Sequence, residues 1–96
     1  MSCFVIAQIT IHDRDEYRKY EEGFDEIFAG FRGKVLIVDE DPIVFEGDWN
    51  CTRTVLMRFP SEEEARRWYD SAEYQELAKH RHRASHADIV MVKVNR

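Results

Sequence analysis

A chain of 96 residues buries only about two thirds of the surface its unfolded form exposes, enough for one hydrophobic core, so residues 1–96 are expected to form a single domain. A hydrophobic fraction of 44% beside a charged fraction of 34% belongs to a folded globular protein and argues against a disordered or low-complexity chain. The formal charge of -5 argues against a general nucleic-acid binder, which needs a surplus of Lys and Arg to meet phosphate.

In chain order, Cys3 to Ile11 (CFVIAQITI) is short and rich in β-branched residues, the composition of a strand. It has no basic leader and alternates through Gln8 and Thr10, so it reads as neither a signal peptide nor a membrane span. Asp13 and Glu16 stand at capping-box spacing. Tyr17, Tyr20, Phe24, Ile27, Phe28 and Phe31 then follow at three- and four-residue intervals, which predicts an amphipathic helix ending near Gly30 or Gly33. Gly23 within it costs about 1 kcal/mol relative to Ala, a cost that close approach to the sheet would offset. Lys34 to Val38 (KVLIV) predicts a second strand and residues 39–42 (DEDP) a turn. Ile43 to Glu46 reads as a short strand or a strand extension, Gly47 to Cys51 interrupts it, and Thr52 to Phe59 resumes the extended form before Pro60. The strand count is therefore open by one.

Ser61 and Glu64 form a second capping box, followed by an apolar face of Ala65, Trp68, Tyr69 and Ala72. After Asp70 and Ser71 the stripe restarts with Tyr74, Leu77, Ala78 and Arg81, compatible with one kinked helix or two short ones. Asp88 to Val94 predicts the closing strand. The order is that of an α+β ferredoxin-like plait, βαββαβ with room for one extra short strand, carrying both helical segments on one side of an antiparallel sheet. Several strands are nonetheless apolar on both faces: Val35 and Ile37 alternate with Leu36 and Val38, and Ile89 and Met91 with Val90 and Val92. A second copy laid against the uncovered face would remove those side chains from water, which predicts a homodimer.

The segments VFEGDW (Val44 to Trp49) and RFPSEEEARRWYDSAEYQ (Arg58 to Gln75), the run Arg81 to Ala84, and the opening FVIAQITIHDRDEYRKYEE (Phe4 to Glu22) resemble the bacterial family called domain of unknown function 1330. The resemblance spans nearly the whole chain. It implies the dimeric α/β-barrel group of ferredoxin-like folds, in which two sheets face each other across a two-fold axis. Members of that group include cofactor-independent monooxygenases, small isomerases or cyclases, haem-degrading enzymes and ligand-sensing domains, and the fold alone does not select among them.

Glu46 and Arg81 are the residues in which catalysis would reside. Glu46, beside Gly47 and near Trp49, would act as general acid or base if shielded from water, whereas turn chemistry alone would also explain it. Arg81 interrupts an apolar helix stripe, where a charge must be paired, must snorkel out, or must hold a ligand carboxylate. Trp49, Arg58, Trp68, Ser71 and Tyr74 are candidate ligand-binding residues. For Trp68 and Tyr74 core packing is the competing reading, and for Ser71 a helix cap is. Strand parity puts Val55, Met57 and Phe59 toward the helices and Leu56 and Arg58 on the opposite face. Gln8, Thr10 and Lys93 would join them there if the register allows, gathering polar groups into one patch.

No metal site is expected: His82 and His86 share a four-residue spacing but lack a third ligand. No glycine-rich phosphate loop is present, so no nucleotide cofactor is expected either. Cys3 and Cys51, the two cysteines, lack a metal or redox spacing and read as free thiols of a cytoplasmic protein. The expected function is binding or transformation of a small organic molecule by a homodimer that contacts neither nucleic acid nor membrane. A non-catalytic ligand-sensing or dimerisation module is the alternative.

Overall fold

In a computed structural model, which describes residues 2–94, the chain runs β1 (Cys3–Ile11), α1 (Arg14–Phe28), β2 (Lys34–Asp39), β3 (Arg53–Phe59), α2 (Glu62–Tyr69), α3 (Ala72–Ala84) and β4 (Ser85–Lys93). The four strands form one antiparallel sheet in the order β2-β3-β1-β4, with the helices over one face. This is the expected ferredoxin-like arrangement, with the second helical segment divided in two. The division falls at Asp70 and Ser71, because Ser71 uses its hydroxyl twice: Oγ accepts from the Tyr74 N–H at 3.2 Å and donates to the Trp68 carbonyl at 2.9 Å. One helix is ended and the next capped by the same side chain.

Both capping boxes form in one half only. The Asp13 carboxylate accepts from the Glu16 N–H, and the Ser61 hydroxyl accepts from the Glu64 N–H, each at 3.1 Å. The reciprocal bonds are absent among the described residues because both glutamates are drawn elsewhere. Glu16 accepts from Arg83 and meets the Nδ1 of His80 at 2.6 Å, tying α1 to α3. Glu64 accepts from Arg67 and from the backbone N–H of Arg32. Gly23 also serves the α1–α3 crossing and not, as expected, the approach to the sheet. A Cβ there would lie 2.6 Å from Leu77 Cδ1 of α3.

Two strand expectations change. Residues 43–46 form no strand, since β2 and β3 pair with each other across the loop and leave the segment no ladder to join; Ile43 and Phe45 are almost fully exposed. Gly47 turns the loop at φ 79°, a left-handed conformation that glycine adopts without a side-chain clash. The closing strand starts at Ser85, earlier than expected, because the long β1 offers partners as far as Ile11, which pairs with Ser85.

The core is aromatic. Trp68 stacks on Phe59 at 5.4 Å between ring centroids, meets Tyr74 at 4.4 Å, and takes the edge of Phe28 at 5.6 Å. Cys3, Val5, Ala7 and Ile9 present the matching face of β1, all buried. The opposite face of the sheet is bare in the single chain. There Ile37, Leu56, Ile6 and Val90 line up across all four strands. On one side of that apolar row stand Asp39, Thr54, Gln8 and Asp88, and on the other Lys34, Arg58, Phe4 and Val92. Arg58 and Gln8 thus occupy the face that strand parity assigned them, but the polar groups form two flanking sets instead of one patch. Lys93 pairs with Cys3 in register and belongs to the helix side, where its Nζ lies 3.8 Å from Glu62. A bulge at Leu36 also separates Val35 from Ile37: Val35 and Val38 face the helices, while Ile37 faces away.

The Glu16 cluster makes stability depend on acid. Hydrogen bonding to His80, reinforced by Arg83 and Lys19, lowers the Glu16 carboxyl from 4.5 to about 2. A folded-state pKa below the unfolded one adds stability above the unfolded value, and that stability is lost as pH falls through the folded value. Glu16→Gln is expected to lower Tm at neutral pH. The gap to wild type should close as the pH falls from 4.5 toward about 2. Thermal unfolding followed by circular dichroism across that range tests this, and a gap that stays constant down to pH 2 contradicts it.

Candidate functional site

The helix layer does not cover all four strands, and β2 is the strand left out: every one of its residues is exposed. Between α1, β2 and the middle of the sheet lies a cavity of about 320 Å³, near the lower limit of the roughly 300–1,000 Å³ usual for small-molecule sites. Its floor includes Ala7, Val55 and Met57, the small Ala7 side chain leaving room above β1. Tyr17, Tyr20 and Phe24 of α1 form the roof. The exposed Val35 and Val38 mark the edge that meets solvent.

The polar groups of this cavity come from the three helices and β3. Tyr20 and Tyr74 share a hydrogen bond of 2.8 Å between their hydroxyls, both side chains being buried. One phenol donates to the other, so one O–H proton remains for a third group. Burial raises the Tyr20 phenol well above its ordinary value and raises that of Tyr17 as well, so both stay protonated at neutral pH.

Arg81 is 4% exposed, with its guanidinium carbon 5.7 Å from the centre of the Tyr20 ring. It has no salt-bridge partner among the described residues, and its Nε lacks a hydrogen-bond acceptor. Arg53 lies 3.0 Å from Glu40 and 3.5 Å from Glu21, and stands over the Tyr17 ring.

The structure therefore brings Trp68, Tyr74 and Arg81 to one cavity and leaves the other candidates apart. Glu46 is exposed in the loop after β2 and is not part of the cavity wall, so within one chain it does not join Arg81. Trp49 belongs to the same loop and donates from Nε1 to Thr54 Oγ1 at 2.9 Å. Arg58 lies on the far side of the sheet, exposed, and has no carboxylate partner among the described residues. Ser71 is occupied as a cap, for its accepting and donating bonds are both local.

His82 and His86 also part company. α3 ends at Ala84 and His86 belongs to β4, so the four-residue spacing is not a helical one. Tyr17, Tyr20 and Arg53 are cavity residues that the sequence reading missed. The available signal was chemical: the stripe of α1 carries Tyr where Phe would pack equally well, and a buried hydroxyl requires a partner.

The fold recurs in solved structures. A protein of unknown function from Rhodopseudomonas palustris, RPA0582, superposes with a TM-score of 0.80 at 15% identity, covering 99% of this chain and 83% of that one. SnoaB from Streptomyces nogalater, a cofactor-independent oxygenase, gives 0.70 at 12% identity, with 99% and 94% covered. A dimeric ferredoxin-like protein of unknown function from Thermobifida fusca gives 0.67 at 12% identity, with 98% and 92% covered. At these identities the likeness establishes the fold alone. Comparison with curated protein sequences finds no significant match. Among the described residues no helix is long and apolar enough to cross a membrane. The match to the family described as Domain of unknown function (DUF1330) extends over residues 2–95, and the chain belongs to that family.

Proposed function

We propose that the protein is a homodimer that binds or transforms a small organic molecule in the cavity between helices and sheet, with no role for a metal or nucleotide. The observation that carries this reading is the cavity itself: an aromatic-walled space holding a buried tyrosine pair and a buried arginine. The fold is one in which SnoaB is described as a cofactor-independent oxygenase, which supports chemistry on small molecules as a use of this scaffold. Dimerisation is supported by the bare apolar row of Ile37, Leu56, Ile6 and Val90 and by structural neighbours described as dimeric. The exposed Ile43 and Phe45 of the loop after β2 extend the apolar surface available to a second copy.

Two measurements test the two halves of this reading. For the dimer, light scattering is expected to give twice the 11.5 kDa chain mass, and Leu56→Glu, which places a charge in the apolar row, to give monomers of lowered stability. A wild-type monomer of full stability contradicts it. For the cavity, the neutral fluorophore N-phenyl-1-naphthylamine is expected to bind saturably, one per chain. Val38→Trp, which fills the edge of the cavity from an exposed position, should weaken it about tenfold, the loss of roughly 1.4 kcal/mol of contact. Absence of saturable binding, or a Val38→Trp variant that binds as wild type does, removes the support for a ligand site there.

A further inference from the structure

We propose that the ligand of this cavity is a small organic acid, a carboxylate carried on a flat apolar or aromatic body, and that Arg81 is its anchor. The inference rests on the reading of the cavity as a ligand site and adds the chemical class of the ligand.

Three buried side-chain polar atoms lack a hydrogen-bond partner among the described residues: Arg53 Nε, Trp68 Nε1 and Arg81 Nε. All three belong to residues of the cavity wall, and all three are donors with no capacity to accept. Buried polar groups in folded proteins are nearly always satisfied, so a set of orphans that all border this cavity and share one hydrogen-bonding sign points to an acceptor as their partner. The charge balance says that the acceptor is an anion. Of the two wall arginines, Arg53 is already engaged by Glu40 and Glu21, whereas Arg81 is held by the Tyr20 ring and the Tyr74 phenol and, among the described residues, by no carboxylate. A buried guanidinium without a counter-ion is costly, and a bound carboxylate removes the cost while meeting the planar fork in its preferred geometry.

The tyrosine pair adds a further donor. Because burial keeps Tyr20 protonated, the free O–H proton of the Tyr20–Tyr74 pair is available to the same anion or to an oxygen beside it. Phe24, Met57 and Trp68 supply the apolar surround for the body of the molecule. The acids of the wall are Glu21 and Asp25. Glu21 is offset by Arg53 at 3.5 Å, so Asp25 is the wall acid without an ion-pair partner among the described residues.

The experiment compares two ligands of one shape. The full chain is titrated calorimetrically with 2-naphthoate and with 2-naphthamide, which differ in charge and hardly in volume. The acid is expected to bind about tenfold more tightly or better, the usual advantage of a charge-assisted pair in a partly desolvated site. Arg81→Met should abolish that preference while the amide still binds, and Arg81→Lys, which keeps charge and loses the fork, should retain part of it. Arg58→Met, on the other face of the sheet, should leave the preference intact. Equal affinities for acid and amide in the wild type overturn the assignment of an anion while leaving the cavity reading in place. So does a preference that survives in Arg81→Met or disappears in Arg58→Met. If neither compound binds, the cavity reading and the anion fail together. Should Arg81→Met not fold, the wild-type comparison and Arg81→Lys still decide: a Lys variant with the full acid preference shows charge without the fork to be sufficient and overturns Arg81 as a carboxylate fork.

Discussion

Trp68 is a side chain at which all three helices meet the sheet. Its indole lies on the Phe59 ring of β3, against Tyr74 of α3, and receives the edges of Phe24 and Phe28 from α1, so one side chain of the short α2 touches three other elements. Truncation of a side chain so enclosed costs about 3–5 kcal/mol in other proteins, a large share of the stability of a small domain. The same position explains the cavity beside it. Rings as large as Trp68, Tyr20 and Tyr74 prop the helices above the small Ala7 side chain, and packing that closes around the indole leaves space toward β2. Core and candidate site are thus one construction, and the polar tips of its aromatic residues are among the polar groups of the cavity.

The relative placement of α1 and α3 depends on contacts at two levels. Gly23 lets Leu77 approach to a distance that any side chain at residue 23 would obstruct. Nearer the start of α1, Glu16 gathers His80 and Arg83 of α3. On α1, Tyr20 lies between these two points and its hydroxyl meets that of Tyr74 at 2.8 Å, and about two turns along α3 from Tyr74 stands Arg81. A helix pair held at both levels keeps Arg81 inside, where an isolated helix would let its long side chain reach water. That rigidity is what a binding site built on secondary structure requires.

The opposite face of the sheet obeys a different constraint. One layer of helices cannot cover two sheet faces, and the row from Ile37 to Val90 would remain in water in a lone chain. The bulge at Leu36 is part of this arrangement, because it rotates Ile37 and Asp39 onto the bare face while Val35 and Val38 stay over the cavity. A single inserted residue thereby lets β2 serve both surfaces.

How much of this was legible in the chain follows from the range of the forces involved. Periodicity and capping residues are local, and they were sufficient for the four strands that form, the start of α1 and the inward parity of Met57 and Phe59, whereas the extra strand at residues 43–46, the end of α1 and the division of the second helical segment at Ser71 were left to the folded chain. The apolar alternation on both faces of the strands was sufficient to show that the sheet is larger than its helix cover. Arg81 was legible as an anomaly, since a charge on an apolar stripe needs an explanation wherever the helix lies. What the charge meets was not. That Glu16 and Glu64 leave their capping boxes for side chains far along the chain, that the bulge turns Ile37 outward, and that Glu46 stays in solvent while Tyr20 closes over Arg81 are all decided by groups distant in sequence. Local propensity settles which residues form a helix or a strand. Which donors are left without acceptors depends on where every other group has already gone, and only the folded chain determines that.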